Sequence, residues 1–181
     1  MRDHRFLPDA TLNVAENLLR EPSDDLAIVF RGEDGEAVDV TRAELHDMVG
    51  RIQVLLRDAG VEVGDWVVAW LPNRPETYAV MLACAGLGAV FASTSPDFGT
   101  DGVIDRFGQI EPTVLLSVPD YAYNGKRHDC AGRLDEIVSA LPSLRASIVV
   151  EPGWLDAVES TPITFVPLPF DHPWYVLFSS G

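Results

Sequence analysis

Segments with apolar residues at helical spacing alternate along this chain with shorter, continuous apolar runs. Apolar residues at helical spacing predict amphipathic helices over residues 12–20, 42–58, 75–87, 101–109 and 132–141. Shorter apolar runs between them predict strands over residues 64–72, 89–93, 113–117 and 146–150, with further candidates at 163–168 and 174–178. Strands that alternate with helices form βαβ units, so the pattern predicts an α/β fold with a doubly wound, mostly parallel sheet flanked by helices.

A polar turn near the N-terminus predicts a small β-hairpin before the main sheet. The apolar run at 26–30 leads into a segment rich in glycine and acidic residues, where Gly32 and Gly35 supply the bend. Thr41 and Glu44 then have the spacing of a capping box, in which each side chain bonds the other residue's backbone amide. This spacing predicts that the second helix begins immediately after Thr41.

The composition permits a packed core and restricts the partners. Of the 181 residues, 47% are hydrophobic and 23% are charged, which is typical of a globular chain and excludes disorder. Lys and Arg number 13 against 28 Asp and Glu, for a net charge of −15. A chain this acidic is repelled by polyphosphate and by anionic lipid, so we expect neither nucleic acid nor membrane as a partner. With no signal peptide and no apolar run near ~18 residues, we expect a cytoplasmic location.

Neither the cysteines nor the histidines have the spacing of a metal site. Cys84 lies within an apolar run and is expected to act as a small hydrophobe. Cys130 follows the polar stretch KRHD, so we expect its thiol to be exposed. The histidines show no shared ligand spacing, and His172, between prolines and aromatic residues, is predicted to be a packed connector residue. The sequence therefore predicts no metal site.

Candidate binding residues lie in the loops that follow the predicted strands. Ligands of open α/β sheets bind beyond the carboxyl ends of the strands, which points to residues 72–76, 94–101, 119–129 and 179–181. The Gly-Leu-Gly at 86–88 adds no dinucleotide-binding motif, because it follows a helix rather than a strand. It predicts a helix C-cap instead.

The stretch at 119–129 is the one basic segment of an acidic chain, and we expect it to be a loop. Cationic or titratable residues stand there beside two tyrosines and a flexible Asn-Gly pair: Tyr121, Tyr123, Asn124, Gly125, Lys126, Arg127 and His128. Such a cluster can form a local anion-binding site. The alternative is a solvated loop with scattered charges, and the residues alone leave both open.

The final residues, Ser179, Ser180 and Gly181, follow a predicted strand. Serine hydroxyls and glycine amides in that position form a phosphate cradle when more small residues follow. A strand that ends in a polar turn has the same sequence, so these residues do not decide between the two. No GxSxG pattern surrounds them, and neither serine is therefore predicted to be a nucleophile.

Taken together, these stretches resemble the adenylate-forming acyl-CoA synthetases. VLFSSG (176–181) is similar to the first half of the loop that grips the phosphates of ATP in that family. LPNRPE (71–76), followed by an apolar helix, is similar to a stretch common across it. Further segments resemble one subfamily, the acetoacetyl-CoA synthetases: residues 12–20, 95–112, 123–127 and 169–181.

The resemblance implies an acid–thiol ligase. Such an enzyme converts acetoacetate, ATP and coenzyme A (CoA) into acetoacetyl-CoA, AMP and pyrophosphate through an acyl-adenylate, with Mg²⁺ assisting the ATP step. Phosphate positioning and charge neutralisation are what that first step needs. The expected partners are therefore these small molecules, and no tightly bound cofactor is expected.

The resemblance also assigns residues of this sequence to ligands. It implies contacts to the ATP phosphates from Ser179, Ser180 and Gly181, in a loop that is only partly present. It implies contacts to CoA from two groups of residues: Asp97, Phe98 and Gly99 along the path of the thiol, and Tyr123, Asn124, Gly125, Lys126 and Arg127 near the 3′-phosphate. It places no catalytic residue and no metal ligand within this chain.

Residues 1–181 would then be the N-terminal part of the large AMP-binding domain. The family's adenine, acyl-pocket and metal motifs, and its C-terminal domain, lie further along, so we expect this piece to be inactive alone. Apolar surface that faces the rest of that domain would be bare, so self-association is expected. The alternative is a standalone, non-catalytic α/β module that binds a nucleotide or a protein.

Overall fold

The structure, a computed structural model, describes residues 7–178. Its elements along the chain are β1 (Thr11–Leu12), α1 (Val14–Leu19), β2 (Leu26–Arg31), β3 (Ala37–Thr41), α2 (Arg42–Asp58), β4 (Trp66–Trp70), α3 (Pro75–Leu87), β5 (Val90–Thr94), α4 (Thr100–Phe107), β6 (Val114–Ser117), β7 (Asp120–Tyr123), β8 (Lys126–Asp129), α5 (Ala131–Ala140), β9 (Ala146–Val149), β10 (Leu168–Pro169) and β11 (Tyr175–Val176). Strands and helices alternate through most of this order, as the hydrophobic pattern predicts.

A parallel sheet carries the fold. Among the described residues it has five strands in the order β11-β5-β4-β6-β9, and each neighbouring pair is parallel. The central strand β4 is apolar throughout, and Val67–Trp70 are fully buried because helices flank the sheet. Helices α1, α2 and α3 pack against one another, and α4 packs against α5. The α/β fold class with a mostly parallel sheet is confirmed.

Local signals set the boundaries of the long helices. The capping box of α2 is present: the Thr41 amide donates to Glu44 Oε2 at 2.7 Å, and the Glu44 amide donates to Thr41 Oγ1 at 3.2 Å. Helix α3 starts at Pro75 and is closed by Gly88, whose φ of 79° is the left-handed conformation of a C-cap. The predicted N-terminal hairpin is also confirmed, with β2 and β3 antiparallel.

The basic stretch at 119–129 is not the loop that its charges suggested. Strands β7 and β8 form an antiparallel hairpin with a two-residue turn, in which Asn124 has φ 51° and Gly125 has φ 70°. Asn-Gly with both φ values positive is the preferred turn between two short strands. The turn chemistry therefore outweighs the polarity of the flanking residues.

Two further expectations are wrong. Cys130 is fully buried rather than exposed, because it is the N-cap residue of α5 and packs within the hydrophobic core. Residues 163–168 were expected to be a strand, but only Leu168–Pro169 forms one, paired with Thr11–Leu12. His172 is a connector as predicted, half-buried with a ring nitrogen 2.9 Å from the carbonyl of Gly88.

Buried amide side chains replace a strand partner along the segment from 151 to 166, which we call the return segment. Gln53 Oε1 accepts from the Thr164 amide at 2.8 Å, and Gln53 Nε2 donates to the Thr164 carbonyl at 2.9 Å. Asn13 Nδ2 donates to the Val166 carbonyl at 2.9 Å. Because Gln53 and Asn13 are both buried, these bonds satisfy polar groups that would otherwise be costly to enclose.

Within residues 7–178, none of the helices combines the length and the apolar character that a membrane crossing requires.

Candidate functional site

The carboxyl ends of the parallel strands define one edge of the molecule. Strands β4, β5 and β6 run in the same direction, so the loops that follow them converge at this edge. A groove of about 1410 Å³ opens there, between the β2–β3 hairpin on one side and the β7–β8 hairpin on the other. Three of the four candidate binding stretches therefore lie at this edge.

The loop after β5 is ordered by its own side chains. Ser95 Oγ donates to Asp97 Oδ2 at 2.8 Å, and the Asp97 amide donates back to Ser95 Oγ at 3.3 Å. Phe98 remains 41% exposed, with the Arg106 guanidinium 4.4 Å from its ring centroid. The loop thus keeps a partly exposed aromatic ring with a guanidinium over it.

Gly99 follows Phe98 at the start of α4 and stands in open space. Its φ of −63° is accessible to any residue, and a Cβ added there would meet no atom within 4 Å. Gly99 is the N-cap of α4, and glycine is one of the residues preferred there, so its position accounts for it. The open space would also let a ligand pass close to the backbone.

Stacked rings and a hydrogen bond at the tip hold the β7–β8 hairpin in place. The rings of Tyr121 and His128 stack with centroids 5.1 Å apart and planes 22° apart. At its tip, the Gly125 amide donates to Glu33 Oε1 at 3.1 Å, which joins it to the β2–β3 hairpin. Lys126 and Arg127 are consequently carried on an ordered platform beside the groove.

The two cations of the hairpin differ in their partners. Arg127 Nη2 lies 2.6 Å from Asp120 Oδ1, although its side chain is 74% exposed. Lys126 is exposed and forms no ion pair within the described part of the chain. The charge of Arg127 is therefore partly balanced by its neighbour, whereas that of Lys126 faces solvent.

Arg133, which the sequence did not single out, links the two candidate stretches. Its Nη1 donates to the Pro96 carbonyl at 3.1 Å and its Nη2 to the Asp129 carbonyl at 3.2 Å. Burial raises the pKa of the nearby Tyr121 hydroxyl; the neighbouring Asp97 carboxylate raises it further, and Arg133 opposes that shift. One signal could have found it: a cation in the first turn of a helix opposes the helix dipole and suggests a specific partner.

In the stretch at 72–76, Arg74 binds side chains of the β2–β3 hairpin. Arg74 Nη1 and Nη2 lie 2.5 Å and 2.8 Å from the carboxylate oxygens of Glu36. This bidentate contact holds the pKa of Glu36 below its usual value. Arg74 also covers the ring of Phe30 at 5.2 Å, so it fixes the wall of the groove.

Two expectations concern residues or ions that the structure does not address. Ser179, Ser180 and Gly181 lie outside the described residues, so their contacts to phosphate stay a prediction. Within 7–178, no group of three or more His, Cys, Asp or Glu side chains is arranged to hold a metal ion. We therefore assign none of these described residues to Mg²⁺.

The sequence of this chain matches one family model and is similar to curated proteins. The model of the AMP-binding enzymes matches residues 14–181. The acetoacetyl-coenzyme A synthetase of Rhizobium meliloti (strain 1021) is 43% identical over 197 residues, which cover 100% of this chain and 30% of the relative. The acetoacetyl-CoA synthetase of Macaca fascicularis is 38% identical over 194 residues, covering 94% of this chain and 29% of that protein. The chain thus spans about 30% of the length of these relatives.

Solved structures agree with the sequence relatives. An acetoacetyl-CoA synthetase from Streptomyces lividans superposes with a TM-score of 0.91 at 40% identity, over 100% of this chain and 30% of that one. An acyl-CoA synthetase from Brucella canis superposes with a TM-score of 0.78 over 96% of this chain and 32% of that one. At 21% identity the second match bears on the fold alone.

Proposed function

Because this chain belongs to the AMP-binding enzyme family, we propose that residues 1–181 are the N-terminal part of the large AMP-binding domain of an ATP-dependent acid–thiol ligase. The acid is acetoacetate, by analogy with the relatives in Rhizobium meliloti, Macaca fascicularis and Streptomyces lividans. The products are acetoacetyl-CoA, AMP and pyrophosphate. The remainder of the catalytic machinery belongs to parts of the protein outside this chain.

The reaction proceeds in two steps that place different demands on the protein. An acetoacetate carboxylate oxygen attacks the α-phosphorus of ATP, pyrophosphate leaves, and an acyl-adenylate forms. The thiol of CoA then loses its proton to solvent, its sulfur attacks the acyl carbon, the bond between that carbon and the bridging phosphate oxygen breaks, and AMP leaves. We assign Ser179, Ser180 and Gly181 to the phosphates in the first step, which Mg²⁺ assists by balancing their charge.

The observation that carries the proposal is that the 95–99 loop and the β7–β8 hairpin are joined at the carboxyl edge of the sheet. These are the two stretches that the family resemblance assigns to CoA. The open space at Gly99 supports passage of the thiol arm beside Asp97 and Phe98. The hairpin supports a phosphate site: Lys126 and Arg127 supply positive charge, and the Asn124–Gly125 turn next to Tyr123 has open space at Gly125. The Gly125 amide, which donates to Glu33 in the free protein, would have to exchange that carboxylate for the phosphate.

Arg127 must exchange one anion for another in this proposal. In the free protein its guanidinium pairs with Asp120. A phosphate dianion carries more charge than a carboxylate and accepts a bidentate contact equally well, so it competes with Asp120 for the same fork. The exposure of the Arg127 side chain makes this exchange possible without opening the core.

The test is the double substitution Lys126→Ala with Arg127→Ala in the full-length enzyme. A charge-assisted hydrogen bond contributes roughly 1.5–3 kcal/mol, which predicts that the KM for CoA rises at least about tenfold. Acetoacetate-dependent exchange of pyrophosphate into ATP should be unchanged, because that half-reaction does not use CoA. Arg145→Ala is the matched control, since Arg145 also pairs with an aspartate at the surface but at the amino edge of the sheet.

Kinetics with dephospho-CoA, which lacks the 3′-phosphate, test whether the higher KM of the double variant comes from a lost contact to that phosphate. The double variant should use dephospho-CoA as well as the unmodified enzyme does. If both thiol substrates suffer equally, or if pyrophosphate exchange also falls, the hairpin has a structural role and the assignment to CoA is wrong.

We also propose that the protein works in the cytoplasm on small molecules and does not bind nucleic acid. Its net charge of −15 opposes association with polyphosphate. Fluorescence imaging of the tagged full-length protein would test the location, and a salt-dependent shift with duplex DNA would contradict the second statement.

A further inference from the structure

We infer that Arg133 is a positioning residue, which sets the distance between the 95–99 loop and the β7–β8 hairpin and thereby shapes the site for CoA. This inference rests on the proposed function of those two stretches. It adds a residue that lies outside both groups assigned to CoA by the family resemblance.

The guanidinium of Arg133 donates hydrogen bonds to both stretches at once. Nη1 donates to the Pro96 carbonyl, immediately before Asp97, at 3.1 Å. Nη2 donates to the Asp129 carbonyl, the last residue of β8, at 3.2 Å and lies 3.4 Å from the Cys130 sulfur. A single planar group therefore fixes one end of the loop relative to one end of the hairpin.

Trp70 gives this group a rigid base. The Arg133 guanidinium carbon lies 5.0 Å from the centroid of the Trp70 ring, within cation–π range. Trp70 is fully buried at the end of β4, the central strand, with β5 and β6 on either side. Trp70 cannot shift without disturbing the sheet. The guanidinium that packs on it therefore holds the Pro96 and Asp129 carbonyls at fixed positions relative to the sheet.

A cation at the position of Arg133 is electrostatically unfavourable, which suggests that its hydrogen bonds have a structural purpose. Arg133 lies in the first turn of α5, where the helix dipole disfavours positive charge. Across the described residues it forms no ion pair that would offset this, although the chain is rich in carboxylates. Its partners are neutral carbonyls, a thiol and an aromatic face, which orient the group rather than neutralise it.

The experiment compares Arg133→Met and Arg133→Lys in the full-length enzyme. A shift of about 1 Å in a positioning element costs up to ~100-fold, so we expect Arg133→Met to raise the KM for CoA at least about tenfold. Pyrophosphate exchange should be unchanged. Lysine keeps the charge without the planar fork, so Arg133→Lys should recover part of the loss. Arg145→Met is the control, because Arg145 likewise donates to a carbonyl, that of Gly60 at 2.9 Å, but at the amino edge.

A double-mutant cycle separates positioning from general stability. Arg133→Met is added to the Lys126→Ala, Arg127→Ala background. If Arg133 acts through the hairpin, the combined loss for CoA is smaller than the product of the separate losses. A loss equal to that product, or a parallel fall in pyrophosphate exchange in both Arg133 variants, overturns the inference.

The same cycle distinguishes the two levels of the proposal. If the Lys126, Arg127 double variant leaves the KM for CoA unchanged, the proposed function of the hairpin fails, and the inference fails with it. If that double variant raises the KM while neither Arg133 variant does, the inference alone is overturned. Should Arg133→Met not fold, the Arg133→Lys variant carries the same comparison.

Discussion

At the scale of single residues, burial decides the chemistry of both cysteines. Cys84 lies in the apolar run of α3 and Cys130 at the start of α5, and both are fully buried. Burial raises the pKa of each thiol, and at Cys130 the neighbouring Arg133 opposes part of that shift. The thiolate is the reactive form of cysteine, so neither position is suited to nucleophilic or redox work.

The prediction at this scale concerns thiol reactivity. In the native protein at pH 8, an aromatic disulfide reagent should modify neither cysteine at a rate near that of a free thiol, because both are enclosed and protonated. After denaturation both should react. Cys84→Ala and Cys130→Ala variants assign any residual signal. Fast modification of Cys130 in the folded protein would show that its burial is wrong.

At the scale of elements, the return segment depends on two glycines as much as on the amides that bind it. A Cβ at Gly86, in α3, would collide with Gln53 Nε2 and approach the Thr164 carbonyl oxygen to 2.9 Å. A Cβ at Gly50, in α2, would collide with the Thr161 carbonyl oxygen. Both helices therefore carry glycine where a chain segment without strand partners passes close to their backbone.

We accordingly expect Gly86→Ala to destabilise the protein. Overpacking at a closely packed position costs about 1–3 kcal/mol, which corresponds to a fall in Tm of roughly 2–12 °C at this chain length. Thermal unfolding followed by circular dichroism measures it. Gly132→Ala in α5 is the matched control, since a Cβ there would meet nothing within 4 Å. Its Tm should be unchanged or higher, and an equal fall in both variants would contradict the steric explanation.

At the scale of the whole molecule, apolar surface and net charge act against each other. Phe170, Tyr175 and Leu177 are 48%, 45% and 81% exposed around β11, which is an edge of the sheet within residues 7–178. Exposed apolar patches at a sheet edge favour association. The charge of −15 opposes it at long range, but salt near ~0.15 M confines that repulsion to about 8 Å.

We therefore expect the 181-residue chain to form dimers or larger species at physiological salt, as measured by light scattering after gel filtration. Leu177→Asp should shift the population toward monomer, because it places a charge on the apolar edge. Leu26→Asp, at another exposed leucine that lies on the β2–β3 hairpin, is the control and should have a smaller effect. A monomer at high concentration without either substitution would contradict the prediction.

The sequence by itself determined the elements whose causes are local. The apolar run of β4, the Thr41–Glu44 capping box, and the proline and glycine at the ends of α3 each act within a few residues, so they could be located without the fold. The parallel sheet follows from their alternation. The resemblance also nominated the stretches at 97–99 and 123–127, and their contacts to CoA stay a prediction. Arg133 joins residues that flank them, Pro96 and Asp129.

Only the tertiary structure decided what depends on partners far along the chain. Residues 163–166 have the composition of a strand, yet they bind Gln53 and Asn13, which lie 111 and 153 positions away from their partners. The burial of Cys130 and the pairing of Arg127 with Asp120 likewise follow from how the hairpin and α5 pack. The position of Arg133 in the first turn of α5 suggests a specific partner, but local sequence does not say which one. Its contacts to Pro96 and Trp70 form only when the sheet brings its loops together.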